Sequence, residues 1–308
     1  MNCSLYTDCA EGNSARPIRY VEPVFRPPSE AESLILPLTD GCSWNQCTFC
    51  EMYTAPQKKF RARDEAELLA NLRWAGEVYG ERVRRVFLAD GDALVLPTRR
   101  LLTVIEAIRS HLPAVRRISS YCLPRNLKKK SQSEIDELAA AGLSMVYVGA
   151  ESGDDAVLAA VSKGETFDST VDALNKLGAA GISRSVMILN GLGGRELSRQ
   201  HAENSARLAN ATQPEYLATL VVSFPKGEQR LRAGFPGWEA LTQPELFAEM
   251  ETFLSGLELK RTVFRSDHAS NWLVLKGMLG ADKERLLAQV RQAIAGQAPL
   301  RPAWARGL

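Results

Sequence analysis

From Ser33 onward, short apolar runs alternate with amphipathic stretches. Residues 33–38 (SLILPL), 84–89 (RRVFLA), 115–121, 143–150 (LSMVYVGA), 184–191 (RSVMILNG) and 216–223 have the length and near-continuous apolarity of buried strands. Between them the spacing turns helical. Residues 64–78 follow an Asp cap and carry Leu68, Leu69, Leu72, Trp74 and Ala75, and 97–111 has Pro97 in its first turn. Residues 133–141 end at Gly142, 154–161 and 168–180 follow, the latter stopped by Gly181, and 196–211 completes the series. Six strands alternating with helices predict a parallel α/β sheet with helices outside, curved into a partial barrel or doubly wound. Residues 1–32 are polar, with Pro17, Pro23, Pro27 and Pro28, and read as an irregular N-terminal extension. The strand–helix repeat fills 33–234. Residues 235–308, with a helix at 243–257, a strand at 259–264 and a helix at 282–295, form an α+β segment expected to cap the sheet and contribute to substrate binding.

Composition narrows the class without choosing a function. The chain has 308 residues, 45% hydrophobic and 24% charged, which excludes disordered, collagen-like and disulfide-stapled chains. The net charge of +2 gives no electrostatic ground for bulk nucleic-acid or membrane binding. The longest apolar runs, 143–150 and 217–224, fall well below the roughly 18 residues of a membrane span. The first thirty residues lack the basic and apolar regions of a secretory leader, so a cytoplasmic protein is expected.

Chemistry enters with the cysteines: Cys3, Cys9, Cys42, Cys47, Cys50 and Cys122. Three of them fall within nine residues, directly after the first strand. In a reducing compartment such a cluster reads as metal-binding or catalytic, and three thiolates leave one metal corner open to a substrate or cosubstrate. Cys3, Cys9 and Cys122 do not supply the paired spacing of an auxiliary cluster. Other polar motifs also follow strands: Asp90-Gly91-Asp92 the second, Glu151-Ser152-Gly153 the fourth and Asn190-Gly191-Leu192-Gly193-Gly194 the fifth. Ligands bind at the carboxyl ends of parallel strands, so these motifs are expected to converge.

Each motif has a plainer alternative. The cysteines suit a zinc knuckle closed by Cys122 or His268, and Asp90–Asp92 a helix-capping turn. Arg184 suits an ion pair at a strand edge, and the basic run 58–63 (KKFRAR) a solvated entry to the following helix. Cys122, just past the third strand, is a candidate catalytic thiol or a buried cysteine. The stretch 264–271 (FRSDHASN) is a hydrogen-bonded loop or a substrate contact, with His268 as the candidate proton donor or acceptor.

The segment GCSWNQCTFCEMY, at the end of the first strand of this repeat, resembles the radical SAM superfamily over residues 34–224. More specifically it resembles bacterial and archaeal Fe–S oxidoreductases carrying GCSWNxCTFCxMY and, later, FRSDHASN followed by LKG. The resemblance implies a partial (β/α)6 TIM-like barrel. It also implies a [4Fe–4S] cluster held by Cys42, Cys47 and Cys50, whose fourth iron chelates S-adenosylmethionine (SAM) for reductive cleavage to a 5′-deoxyadenosyl radical that abstracts hydrogen from a substrate. Phe49 would then lie beside the adenine, and Asp90, Gly91 and Asp92 at the SAM amino group, where the family more often has Gly-Gly-Glu. Glu151 and Ser152 would face the ribose or carboxylate, Arg184 the carboxylate, and Asn190, Gly191 and Gly193 the adenine, with Gly193 in place of a proline. The spacing is C-x4-C-x2-C rather than the common C-x3-C-x2-C, an insertion that a loop tolerates at small entropic cost. The expected partners are a reductant such as flavodoxin or ferredoxin and a small-molecule substrate, favoured over RNA or protein because no RNA-binding module is recognised in the sequence; cobalamin-dependent methyl transfer through an N-terminal cobalamin domain is not expected. The alternative is a non-catalytic metal- or Fe–S-binding protein, or a SAM-binding protein with a degenerate barrel.

Overall fold

A computed structural model describes residues 18–306; Cys3 and Cys9 lie outside the described residues. The described chain forms two compact units. The first runs to Asn45 and adds Met52–Tyr147 and Ala179–Ile182; the second holds Gln46–Glu51, Val148–Gly178 and the chain from Ser183 onward.

The first unit contains β1 (Leu34–Pro37), β2 (Thr39–Asp40), β3 (Arg61–Ala62), α1 (Glu65–Tyr79), β4 (Arg85–Ala89), α2 (Thr98–His111), β5 (Arg117–Tyr121) and α3 (Gln132–Ala141). β6 (Leu143–Glu151) starts here and continues into the second unit. The sheet order is β1-β4-β5-β6, with Leu34 opposite Val86, Arg85 opposite Arg117 and Ser119 opposite Met145, all parallel. Local chemistry sets the helix ends. Asp64 caps α1 by accepting from the Glu67 N–H at 3.0 Å, Ser131 and Glu134 form a capping box on α3, and Gly142 ends α3 at φ 125°. On one face of the sheet Ile35, Phe87, Ala89, Met145 and Tyr147 form an apolar cluster. Tyr20 and Val24 pack against it, and the Tyr20 hydroxyl donates to the Ile35 carbonyl at 2.9 Å. The described part of the extension, which carries no strand, is thereby tied to the sheet by burial and one hydrogen bond.

The second unit contains α4 (Asp155–Ala160), most of α5 (Phe167–Ala179), β7 (Ser183–Asn190), α6 (Gly194–Thr212), β8 (Tyr216–Val221), α7 (Gln229–Gly234), α8 (Gln243–Gly256), β9 (Thr262–Ser266), β10 (Leu275–Leu279) and α9 (Lys283–Ile294). Its sheet continues β6-β7-β8-β9-β10. β7, β8 and β9 run parallel, and β10 returns antiparallel to β9. Residues 235–308 therefore add two strands to a sheet edge in addition to their helices. The strand expected at 259–264 lies at Thr262–Ser266, and neither β10 nor the short α7 was expected. Gly277 at an inward position and the apolar Met278 at an exposed one mask the period-two signal of β10.

Candidate cofactor site

In the first unit the chain leaves β1 through β2, which pairs antiparallel with β3, Asp40 opposite Arg61. Residues 41–60 therefore depart and return at one neck. Asp40 clamps it: Oδ1 accepts from Arg63 Nε at 3.0 Å and Nη2 at 2.8 Å, and Oδ2 from Arg61 Nε at 2.6 Å. Burial alone would raise the Asp40 carboxyl, but the two arginines hold it below the usual carboxylate range. Half-buried Cys42 opens the loop. Gly41, at φ 72°, has no room for a side chain, since a Cβ would meet the Lys58 carbonyl oxygen at 2.2 Å.

The Asp-Gly-Asp motif after β4 is built around this loop. A Cβ on Gly91 would lie 2.7 Å from the Cys42 Cα, and the Gly91 N–H donates to the Gly41 carbonyl at 3.1 Å. Asp92, wholly buried, accepts from the Ser43 N–H at 2.8 Å on Oδ1, and from the Ser43 hydroxyl and Asn126 Nδ2 (3.0 Å) on Oδ2. Asp90 Oδ2 accepts from the Gly41 N–H at 3.2 Å and from Lys58 Nζ at 2.5 Å. Burial pushes both carboxyls above the ordinary range against these donors. The ammonium beside Asp90 is thus that of Lys58, and the motif secures the backbone on either side of Cys42. The basic run 58–63 is not simply solvated: Lys58 is 1% and Arg63 3% exposed, because each has found a buried carboxylate. Cys122 is buried, its thiol donating to the Leu123 carbonyl at 3.3 Å.

In the second unit, residues 46–51 are held by backbone contacts. The Cys50 N–H donates to the Cys47 carbonyl at 3.3 Å, the Thr48 N–H to the Val161 carbonyl at 2.9 Å, and Arg230 Nη1 to the Cys50 carbonyl at 2.7 Å. Phe49 packs on the apolar cluster of Val157, Val161, Leu192, Leu231 and Trp238. Between its ring and Glu151 lies Lys163, 4% exposed, with Nζ 5.9 Å from the Phe49 centroid and 3.2 Å from Glu151 Oε1. Burial would lower the ammonium, yet Glu151, Cys47 and Cys50 together hold it above the usual lysine range. Glu151 ends β6 at φ 65°, and its Oε2 is buried with no hydrogen-bond partner among the described residues; the same is true of Asn190 Oδ1 at the end of β7. Lys163 was missed by the sequence reading, since a lysine between Ser162 and Gly164 carries no local sign of burial.

The other expected contacts divide. Ser152 is wholly buried, sharing a 2.8 Å hydrogen bond with His201 Nδ1 and accepting from the Asp154 N–H at 3.0 Å. The Gly191 N–H donates to Glu249 Oε1 at 2.7 Å, Trp238 Nε1 donates to the Leu192 carbonyl at 3.1 Å, and Gly193 leads into α6. Arg184 is corrected to a structural role. It lies at the amino end of β7, where Nε and Nη2 grip Glu215 at 3.0 and 2.7 Å, Nη1 reaches the Leu174 and Thr212 carbonyls, and Nη2 reaches that of Gln213. No donor is left over for a ligand. His268 is solvent-exposed, its Nδ1 accepting from the Ser270 N–H at 3.1 Å. Partial burial and Arg301 hold its imidazole below the usual range. Asn271 from the same stretch accepts from the Val221 N–H at 2.8 Å and donates to the Thr219 carbonyl at 2.9 Å, so the polar run is largely a hydrogen-bonded loop. A cavity of about 20 Å³, enough for one water, lies among Asn190, Val221, Met250, Ser266, Asn271 and Trp272.

The donor chemistry fits the implied groups. The partly exposed thiols of Cys47 and Cys50 lie within the field of the buried Lys163 ammonium, which favours their thiolate forms. The unpaired buried acceptors on Glu151 and Asn190 suit a ligand carrying N–H and O–H groups. Among the described residues no three His, Cys, Asp or Glu side chains are gathered around one point as they would be for a single metal ion.

Comparison with known proteins agrees with this arrangement. A family model for the radical SAM superfamily matches residues 36–209, more than half of the chain. No curated protein matches it. Among solved structures, the radical SAM enzyme coproporphyrinogen III oxidase from Escherichia coli superposes with a TM-score of 0.55 at 14% identity, covering 72% of this chain and 52% of its own. Methylornithine synthase gives 0.52 at 14% identity, over 87% of this chain and 69% of its own. The radical S-adenosylmethionine methyltransferase TsrM from Kitasatospora setae, solved with cobalamin and a [4Fe–4S] cluster, gives 0.50 at 18% identity, over 61% of this chain but only 34% of its own. These likenesses show the fold, an α/β architecture of the partial TIM-like barrel class. With the family match spanning most of the strand–helix repeat and the cysteine loop following β1, the chain belongs to the radical SAM superfamily.

Proposed function

We propose that this protein is a radical SAM enzyme that holds a [4Fe–4S] cluster through Cys42, Cys47 and Cys50 and reductively cleaves SAM to act on a small molecule. The observation carrying this reading is the buried Lys163–Glu151 pair, whose ammonium lies in the field of Cys47 and Cys50 and whose carboxylate keeps one oxygen unpaired. When bound, the cluster and SAM supply the one-electron chemistry. The chain's own residues bind and position. Lys163 favours the thiolates of Cys47 and Cys50, as a neighbouring cation does for any thiol. Glu151 Oε2 and Asn190 Oδ1 accept hydrogen bonds from the amino or hydroxyl groups of SAM, and Phe49 offers an apolar face to its adenine. Asp90, Gly91 and Asp92 act one step away by fixing the backbone around Cys42. Ser152, Gly191 and Gly193 shape the turns that carry these contacts. Residues 33–234 supply this machinery and 235–308 the substrate region, where His268, neutral at pH 7, is available as a proton acceptor. Buried Cys122 becomes a reactant only if substrate binding exposes it.

A flavodoxin- or ferredoxin-like reductant and a cytoplasmic setting accompany this reading; no helix among the described residues is long and apolar enough to cross a membrane. The test is anaerobic reconstitution with iron and sulfide, dithionite reduction and chromatography after SAM addition. Wild type should yield 5′-deoxyadenosine and Cys47→Ala should not. A loaded, reducible cluster whose EPR signal is unmoved by SAM would reject the proposal in favour of a non-catalytic metal protein.

A further inference from the structure

Two successive strands open on the same pattern, Val83-Arg84-Arg85-Val86 and Val115-Arg116-Arg117-Ile118. β4 and β5 pair in parallel with Arg85 opposite Arg117, and the Arg116 N–H donates to the Arg84 carbonyl at 2.8 Å. Neighbouring strands lie about 4.8 Å apart, so the repeated pattern brings four arginines to the amino ends of these strands, Arg84 beside Arg116 and Arg85 beside Arg117. They line an open cleft of about 500 Å³. Such crowding of like charge is unfavourable unless something negative shares the space.

The protein supplies little of that charge itself. Arg117 Nη2 lies 2.8 Å from Glu30 and donates to the Ser29 carbonyl at 3.0 Å, but its Nε–H is buried and without an acceptor among the described residues. Glu30 is already shared, accepting from the Tyr147 hydroxyl and from that of Ser33, each at 2.5 Å. Among the described residues, Arg84, Arg85 and Arg116 have no carboxylate within ion-pair distance. Arg61 and Arg63, Arg184 and Arg195 each have theirs in Asp40, Glu215, and Glu239 with Glu245.

We propose that this cleft is a binding site for the di- or triphosphate group of a small ligand. Guanidinium forks match phosphate oxygens two at a time, and the three without a carboxylate, Arg84, Arg85 and Arg116, answer a chain of phosphates better than a single carboxylate. The cleft has the volume of a small-ligand site, and a net charge of +2 gives no electrostatic ground for bulk polynucleotide binding. The full length of β4 separates Arg85 from Asp90 and the cysteine loop, so the ligand would be an effector and not the group undergoing reaction.

Calorimetric titration of the full-length protein with tripolyphosphate at low ionic strength tests this, with sulfate at matched ionic strength as control. Saturable one-to-one binding is expected, weakened at least tenfold in Arg84→Ala and again in Arg84→Ala/Arg116→Ala. Arg84→Lys should recover only part, because an ammonium cannot bind bidentately. Both arginines are exposed, so circular dichroism and the ligand-free melting temperature should match wild type. Absence of saturable binding, undiminished affinity in the correctly folded double variant, or binding of an RNA hairpin but not of tripolyphosphate would each overturn the proposal.

Discussion

Replacing Lys163 by Met removes one charge of a buried pair and leaves the other. At the observed 3.2 Å separation and an effective dielectric of about 20, the Lys163–Glu151 attraction is about 5 kcal/mol. Stranding one partner of such a pair typically costs about 3–5 kcal/mol, a large share of a domain's stability. Lys163→Met is therefore expected to lose about 3–5 kcal/mol in urea unfolding followed by tryptophan fluorescence. Lys163→Met/Glu151→Gln should regain part of that, giving a coupling energy of about 2 kcal/mol or more. The pH dependence supplies a second signature. Glu151, Cys47 and Cys50 hold the Lys163 ammonium above its ordinary value of 10.5, and a group raised on folding stabilises below its unfolded pKa and loses that contribution as pH rises past it. The deficit of Lys163→Met relative to wild type should accordingly hold through neutral pH and narrow only as pH rises beyond 10.5. A variant within 1 kcal/mol of wild type at neutral pH would refute the reasoning.

Gly91→Ala places a methyl 2.7 Å from the Cys42 Cα, so the cysteine backbone must retreat by several tenths of an ångström; iron bound per chain after reconstitution should fall several-fold while the far-ultraviolet spectrum stays native. Arg184→Met strips the partners from three backbone carbonyls and Glu215, and should cost about 3–5 kcal/mol on chemical unfolding; SAM affinity of the folded protein, measured by equilibrium dialysis, should be unchanged. Glu245 is held down to about 2, first by the Thr242 backbone N–H and hydroxyl and then by Arg195. A depressed carboxyl stabilises above its unfolded value near 4.5 and loses that contribution as pH falls towards 2, so Glu245→Gln should flatten this part of the acid unfolding curve.

The six parallel strands were legible because each is a short apolar run bounded by glycine or a helix cap, signals contained within a few residues. The spacing of Cys42, Cys47 and Cys50 is likewise a local signal, contained within nine residues. The fate of the charged residues was not legible. Lys58 is buried because Asp90, 32 positions later, waits for it, and Arg184 because Glu215, 31 positions later, returns beside it. Lys163 depends on a carboxylate 12 residues earlier and on thiols more than a hundred positions away. Burial of a charge is a property of the pair, and no window of sequence contains both members. The resemblance assigns Gly91 to the SAM amino group, and what lies against it in the structure is the backbone of Gly41 and Cys42.

The neck below that loop has a bearing on how such sites diversify. Where residues 41–60 leave and return is fixed by the short ladder of Thr39–Asp40 with Arg61–Ala62 and by the arginines gripping Asp40. Length inside the excursion is then uncoupled from the register of the strands outside it, and an added residue changes only the entropy of an already closed loop, by a fraction of a kcal/mol. A C-x4-C spacing can arise by a single insertion without disturbing the sheet. Ligand spacing and scaffold geometry become variables that evolution, or an engineer, can change one at a time.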